Sequence, residues 1–258
     1  LHKAIVEYNI GSTHFSPAGN QYQVITTTKT RIKILTKDGY DLATVKVPLY
    51  RDQSTREFLT VSNAVTYNLV NGEVEKTKLK NDGEFFEKVE GNHYLASFTM
   101  PNVKEGSIIE YTTKIISPYF TYIPEWHFQL DIPVKHSEIS LRIPEFLTYY
   151  KYIKGTVNVN QLVVGDSYIY RASNIPALKD EGFVNNINNY RSAIIHTFSG
   201  YREANGSRKM VAGSWDDVVK TINKNDHFGK QFKNLNFFTE ISLGSRISTF
   251  STRKLVIK

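Results

Sequence analysis

Short runs in which apolar and polar residues alternate recur along the first two hundred residues, and this pattern constrains the fold more than any other feature of the chain. In residues 102–120, for example, Ile109, Tyr111 and Ile115 fall on one side of the alternation and Glu110 on the other. A period of two predicts a half-buried strand, because successive side chains face opposite sides of a sheet. Glycine, asparagine and proline separate the runs, and no helical crossover follows them, so the sequence predicts antiparallel sheets rather than a parallel α/β fold.

Two hairpins are predicted from their turn residues. In residues 64–79 the alternation is interrupted by Asn71-Gly72, a pair that tolerates the positive φ angles of a tight two-residue turn. A second hairpin is predicted to turn at Gly165-Asp166. We therefore predict a mainly β fold, a large antiparallel β-sandwich of the immunoglobulin-like type, over residues 1–205.

The pattern changes after Met210. In the segment "SWDDVVKTINK" Ser214 is the predicted N-cap, and two aspartates then favour the positive end of a helix. A second short helix is predicted from three apolar residues: Phe228, Phe232 and Leu235. Residues 241–258 show no clear period. Short C-terminal helices are thus predicted for residues 206–258.

Composition excludes several chemistries. The chain has 258 residues and no cysteine, which excludes disulfides, thiolate-bound zinc and thiol nucleophiles within it. Its net charge of +7 makes nucleic acid a candidate partner. However, Lys76, Lys78 and Lys80 alternate on one strand face, which is typical of a solvated face or a guarded edge, so we expect no nucleic-acid partner. No apolar run approaches the ~20 residues of a membrane-spanning helix, and we expect no transmembrane segment.

Candidate catalytic and metal-binding residues give weak patterns. His196 lies on an apolar strand face, where a hydrogen-bonded core histidine is commoner than a general base. The spacing of His127 and His136 fits no zinc motif. Asp180 and Glu181 are adjacent, so on a strand they would face opposite ways. We therefore predict no catalytic residue, no metal and no cofactor.

Residues 98–146, "FTMPNVKEGSIIEYTTKIISPYFTYIPEWHFQLDIPVKHSEISLRIPEF", resemble a bacterial domain of unknown function that lies directly N-terminal to a transglutaminase-like (papain-type) domain in envelope proteins. Further segments share the resemblance: residues 30–35, 66–79, 175–194 and 214–232. The resemblance covers about residues 1–240. In such proteins a Cys, a His and an Asp of the downstream domain carry the chemistry, and no catalytic residue transfers to this chain.

The resemblance implies a non-catalytic accessory module that scaffolds, or presents a ligand to, a transglutaminase-like domain absent from this chain. Its expected partner is that domain or another envelope protein. The expected location is the periplasm or cell envelope, with the signal peptide not present in this chain. One alternative is a free-standing peptide- or glycan-binding module of the envelope, and another is an enzyme that uses Asp, Glu or His.

The aromatic run between Pro118 and Trp126 is predicted to close one end of the sandwich. Trp126 fits a core anchor better than a sugar platform, because tryptophan usually buries its large apolar area. We nevertheless predict an interaction surface at Tyr119, Tyr122 and Trp126, where the aromatic end would pack on a neighbouring catalytic domain or shape its substrate cleft.

Overall fold

A computed structural model describes residues 2–80, 84–179, 184–211 and 215–224. These residues are mainly β, which confirms the predicted mainly β class, while the immunoglobulin-like sandwich stays a prediction. The chain divides into two compact units, Leu1–Phe198 and Ser199–Lys258. The predicted second helix, the Asp180-Glu181 pair and the Ser214 cap lie outside the described residues, and the predicted domain boundary at residue 205 stays a prediction.

The first unit contains most of the strands. They are β1 (Ala4–Ala18), β2 (Gln21–Ile34), β3 (Thr44–Tyr50), β4 (Phe58–Val70), β5 (Glu73–Lys78), β6 (Glu84–Glu90), β7 (His93–Thr99), β8 (Ile108–Ser117), β9 (Trp126–His127), β10 (Val134–Arg142), β11 (Leu147–Lys154), β12 (Asn160–Val164), β13 (Ser167–Ile175) and the first part of β14 (Ala193–Arg202). Short 3-10 helices span Lys37–Ala43 and Ile187–Asn189. Both predicted hairpins form, with φ of 52° at Asn71 and 60° at Gly165.

The largest sheet among the described residues has eight strands in the order β12-β13-β10-β1-β2-β8-β4-β5. Its neighbours are antiparallel except for β1 and β10, which run parallel, with Val6 opposite Val134. The predicted antiparallel pairing therefore holds for the other neighbours in this sheet but not for this pair. A parallel pair needs a long crossover, and residues 19–133 provide it. Apolar and polar residues alternate in the same way in a parallel and in an antiparallel strand. The sequence pattern therefore could not reveal this parallel pair.

Two smaller groups of strands complete the first unit as described. Strands β3, β7 and β6 form a sheet in that order, so β6 is an edge strand. Strand β14 pairs with β11 and with the short β9, where Ala193 lies opposite His127. No helix in the described part of the chain has the length and hydropathy needed to span a bilayer.

The core of the first unit is built from the alternating faces that the sequence predicts. Ile109 and Tyr111 of β8 are buried, and the Tyr111 ring meets the Phe98 ring edge-on at a centroid distance of 5.4 Å. Fully burying an apolar side chain of this size stabilises the fold by about 1.5–3 kcal/mol. The stretch 102–120 is thus framework, and strand β8 ends at Ser117, directly before Pro118, which has no N–H for a ladder.

The second unit contains the end of β14, strand β15 (Arg208–Met210) and helix α1 (Trp215–Lys224). The end of β14 and β15 form a hairpin with Tyr201 opposite Lys209. Helix α1 has Asp216 and Asp217 in its first turn and Lys224 in its last, which suits the helix dipole. The predicted helix is confirmed over these residues.

Candidate interaction surface

Tyr119 is held in place by a short acidic turn that follows β3. Its hydroxyl donates to Asp52 Oδ2 over 3.1 Å and accepts from Thr55 Oγ1 over 2.9 Å. The backbone N–H groups of Thr55 and Ser54 also donate to this carboxylate, at 2.7 and 2.8 Å. These donors hold the pKa of Asp52 well below its usual range. The carboxylate therefore stays ionised at neutral pH and fixes the position of the Tyr119 ring.

The Tyr119 ring extends an aromatic row onto β3 and β7. It meets the Tyr50 ring edge-on at 5.1 Å, and Tyr50 meets the imidazole of His93 in the same manner at 5.4 Å. The Tyr50 N–H donates to the Glu57 carboxylate over 2.8 Å. This row connects Tyr119, which was predicted to belong to an interaction surface, to a groove that the sequence pattern does not predict.

The groove lies between the β3–β7–β6 sheet and the start of β4 and has a volume of about 550 Å³. We call it the aromatic groove; its lining residues are Leu49, Tyr50, Arg51, Arg56, Glu57, Phe58, Leu59, Phe86, Lys88 and Tyr94. Phe58 is 50% exposed and Phe86 is 61% exposed. Exposed rings that line one concavity mark an interaction site more often than scattered surface apolar residues do.

Cationic side chains surround these rings. The Arg56 guanidinium lies 4.6 Å from the Phe58 ring centroid, and Arg51 lies 5.9 Å from that of Tyr94. A guanidinium that packs over a ring can still bind carboxylates through its planar array of N–H groups. Lys88 adds a third positive charge, and Glu57 is the one carboxylate among the described lining residues. The groove therefore favours a partner that carries apolar and acidic groups together.

Among the described strands β6 pairs with β7 alone, which leaves its other backbone edge open beside the groove. The register of the pair shifts between Lys88 and Glu90. Phe85 and Val89 on this strand are exposed as well. An edge strand can accept an added strand through its main-chain groups, and apolar side chains then contribute specificity.

Tyr122 lies in the segment between β8 and β9. It is 56% exposed and bridges to Thr197 of β14. Partial desolvation, with the carboxylates of Glu125 and Glu57, raises the pKa of Tyr122. The Tyr122 backbone N–H donates to the Tyr119 carbonyl over 3.0 Å, so the two tyrosines lie close together in the segment that follows β8.

Trp126 belongs to the core instead. It is 8% exposed, and its Nε1 donates to Ser137 Oγ over 3.0 Å. Gly11 lies against the ring so closely that a Cβ at that position would overlap it. The structure agrees with the core-anchor interpretation, and the buried ring cannot make the surface contact expected of it. The predicted surface therefore rests on the two tyrosines.

The histidines weighed as catalytic candidates lie in separate environments. Burial, with the nearby Lys151, lowers the pKa of His196 to about 4, so its imidazole is neutral at pH 7. Burial also lowers the pKa of His127, although Glu125 acts in the opposite direction. His136 contacts Ser173 and Glu138 on the polar face of the large sheet. In the part of the chain described, no three His, Cys, Asp or Glu side chains group in a way that could hold a metal.

Comparisons with known proteins agree with the mainly β architecture. Residues 20–179 match a family described as a domain of unknown function with a solved structure, DUF3857. A crystal structure of a candidate protease from Parabacteroides distasonis superposes with a TM-score of 0.69 at 12% identity, covering 95% of this chain and 47% of that one. This chain thus spans about half the length of that protein. Native yeast LTA4 hydrolase gives a TM-score of 0.34 at 9% identity over 77% of this chain and 30% of that one, too low to support an argument. No curated protein matches the chain.

Proposed function

We propose that this chain, which belongs to the DUF3857 family of domains of unknown function, is a non-catalytic accessory module of a transglutaminase-like protein. In this role it scaffolds, or presents a ligand to, a catalytic domain that is not part of the sequence. We place the protein in the periplasm or cell envelope as part of the same proposal, following the resemblance of residues 98–146 to envelope proteins.

The observation that carries the proposal is the aromatic groove. Aromatic and arginine side chains dominate the binding energy of protein interfaces, and here Phe58, Phe86, Arg51 and Arg56 converge on one concave surface. Tyr119 is fixed beside them by hydrogen bonds to Asp52. A surface with anchored rings and positioned cations loses little side-chain entropy when a partner binds.

The comparison with the Parabacteroides distasonis protein supports an accessory role. Nearly all of this chain aligns with less than half of that longer polypeptide, which is described as a candidate protease. A fold of this kind therefore occurs beside additional sequence. The parent gene gives a direct check: a downstream transglutaminase-like segment with a Cys, a His and an Asp supports the proposal, and its absence from the gene and its neighbours contradicts it.

A binding experiment tests the role of the groove. This chain and the transglutaminase-like domain encoded with it would be purified as separate polypeptides and titrated by calorimetry. Phe86→Ser and Arg56→Ala should each weaken association at least tenfold, since anchor residues typically contribute at least ~1.4 kcal/mol. Leu69→Ser is the matched control, because Leu69 is an equally apolar residue, 72% exposed and outside the groove lining. Absence of association, or equal losses in all three variants, would reject the proposal.

The second candidate is a free-standing peptide-binding module, and the open edge of β6 favours it. An acidic, apolar peptide could add a strand to β6 while its side chains enter the aromatic groove. Screening the isolated chain on peptide and glycan arrays separates the two candidates. Selective capture of acidic peptides supports the second, whereas a scaffold should capture neither class and bind the catalytic domain alone.

A further inference from the structure

A second pocket lies on the polar face of the eight-stranded sheet, where β4 is irregular. The register of β4 against β8 shifts between Ser62 and Val65, and Asn63 within this bulge has a φ of 51°. Strand β5 ends nearby at Lys78, opposite Val65. Bulges bend a strand and redirect its side chains, and they occur often beside functional sites. Here the bulge opens a pocket of about 470 Å³ that the proposed function does not use.

Hydrogen-bond donors dominate the polar lining of this bulge pocket. Three ammonium groups and three hydroxyl or amide groups contribute: Lys29, Lys78, Lys80, Ser62, Asn63 and Thr112. Ser62 and Thr112 lie opposite each other on β4 and β8. Lysines from β2 and from the end of β5 flank them, so positive charge converges from two directions. Such a lining fits an anion with several acceptor oxygens.

The one carboxylate among the lining residues is already engaged. Glu110 accepts a hydrogen bond from the Tyr8 hydroxyl and one of 2.8 Å from Arg31, and it lies 3.5 Å from the Lys29 ammonium. Burial opposes ionisation, but the donors Tyr8 and Arg31 prevail and lower the pKa of Glu110. No ion pair joins Lys78 or Lys80 to a carboxylate whose side chain the structure describes. Among the described lining side chains, three ammonium groups therefore face one carboxylate.

We propose that the bulge pocket binds a small polyvalent oxyanion of the phosphate type. Lys78 and Lys80 neutralise the anion from the β5 side, and Lys29 does so from the β2 side. The Ser62 and Thr112 hydroxyls and the Asn63 amide donate to the remaining oxygens. The alternating lysines were predicted to form a solvated face or a guarded edge. Lys78 and Lys80 line the bulge pocket, whereas the Lys76 ammonium lies 5.7 Å from the Tyr67 ring centroid.

Calorimetric titration of the chain with sodium pyrophosphate tests this site. Saturable one-to-one binding is expected, and Lys78→Gln and Lys80→Gln should each weaken it about fivefold, the effect of one unit charge about 4 Å away in water. Lys76→Gln is the matched control, because Lys76 shares the strand and face of Lys78 but does not line the pocket. Asn63→Gly should weaken binding without loss of folding, since glycine accepts the positive φ.

Three results would overturn the site. Equal weakening by Lys76→Gln and Lys78→Gln would indicate diffuse surface charge. Pyrophosphate binding that does not saturate would show that no discrete site exists. Citrate binding as tight as pyrophosphate binding would remove the preference for phosphate-type oxygens. Circular dichroism of each variant confirms that the fold is retained. Phe86→Ser, in the aromatic groove, should leave pyrophosphate binding unchanged. The test of the bulge pocket is therefore independent of the test of the proposed function.

Discussion

Replacing Trp126 should show, through the free energy of unfolding, that this residue belongs to the core and not to the interaction surface. The side chain is 8% exposed, so nearly all of its area is removed from water on folding. A tryptophan buries ~200 Å², and at ~25 cal/mol per Å² this corresponds to ~5 kcal/mol as an upper value. Trp126→Ala also leaves the buried Ser137 hydroxyl without the indole donor. We expect a loss of about 3–5 kcal/mol in the free energy of unfolding.

The assay is urea denaturation of the purified chain, followed by far-ultraviolet circular dichroism. Tyr122→Ala is the comparison variant, because Tyr122 is 56% exposed and lies in the same segment. It should change the free energy of unfolding by less than about 0.5 kcal/mol, as is usual for surface positions. A loss below about 1 kcal/mol for Trp126→Ala, or equal losses for the two variants, would refute the assignment of Trp126 to the core.

Further predictions concern packing, ionisation and activity. Gly11→Ala should cost about 1–3 kcal/mol in thermal or urea unfolding, because its Cβ overlaps the buried Trp126 ring. Tyr119→Phe should raise the pKa of Asp52 in an NMR titration while leaving it below the ordinary value, since two backbone donors remain. The pKa of His196 is about 4 in the folded chain and about 6.5 in the unfolded chain, so stability should fall as pH decreases through this window, and His196→Leu should reduce that fall. A hydrolase panel should show no turnover; activity lost on replacing His196 would contradict the non-catalytic role.

Local features of the sequence predicted local structure well. Asn71-Gly72 specifies its own turn, and the alternation around Ile109 specifies which face of β8 is buried, because both depend on neighbouring residues only. The parallel contact of β1 with β10 depends on strands far apart in the chain. Nothing in the alternation of either strand encodes its partner.

The aromatic groove escaped prediction for the same reason. Tyr50, Phe58 and Phe86 come from three strands, and only the fold brings them together. A signal was present in "EFFEKVE", residues 84–90, where adjacent phenylalanines break the alternation and one ring must face away from the core. Tyr122 and Trp126 were expected to act together, but the segment between β8 and β9 is not a regular strand, so spacing does not determine which side chains share a face.

The most direct test of the central claim is an NMR titration of the isotope-labelled chain with the transglutaminase-like domain that we propose as its partner. The account predicts that chemical-shift changes concentrate on the aromatic groove, at Phe58 and Phe86 and at Tyr119 beside them. Changes confined to another exposed apolar strand, such as Leu162 to Val164 of β12, would show that a different surface binds the partner and would contradict the account.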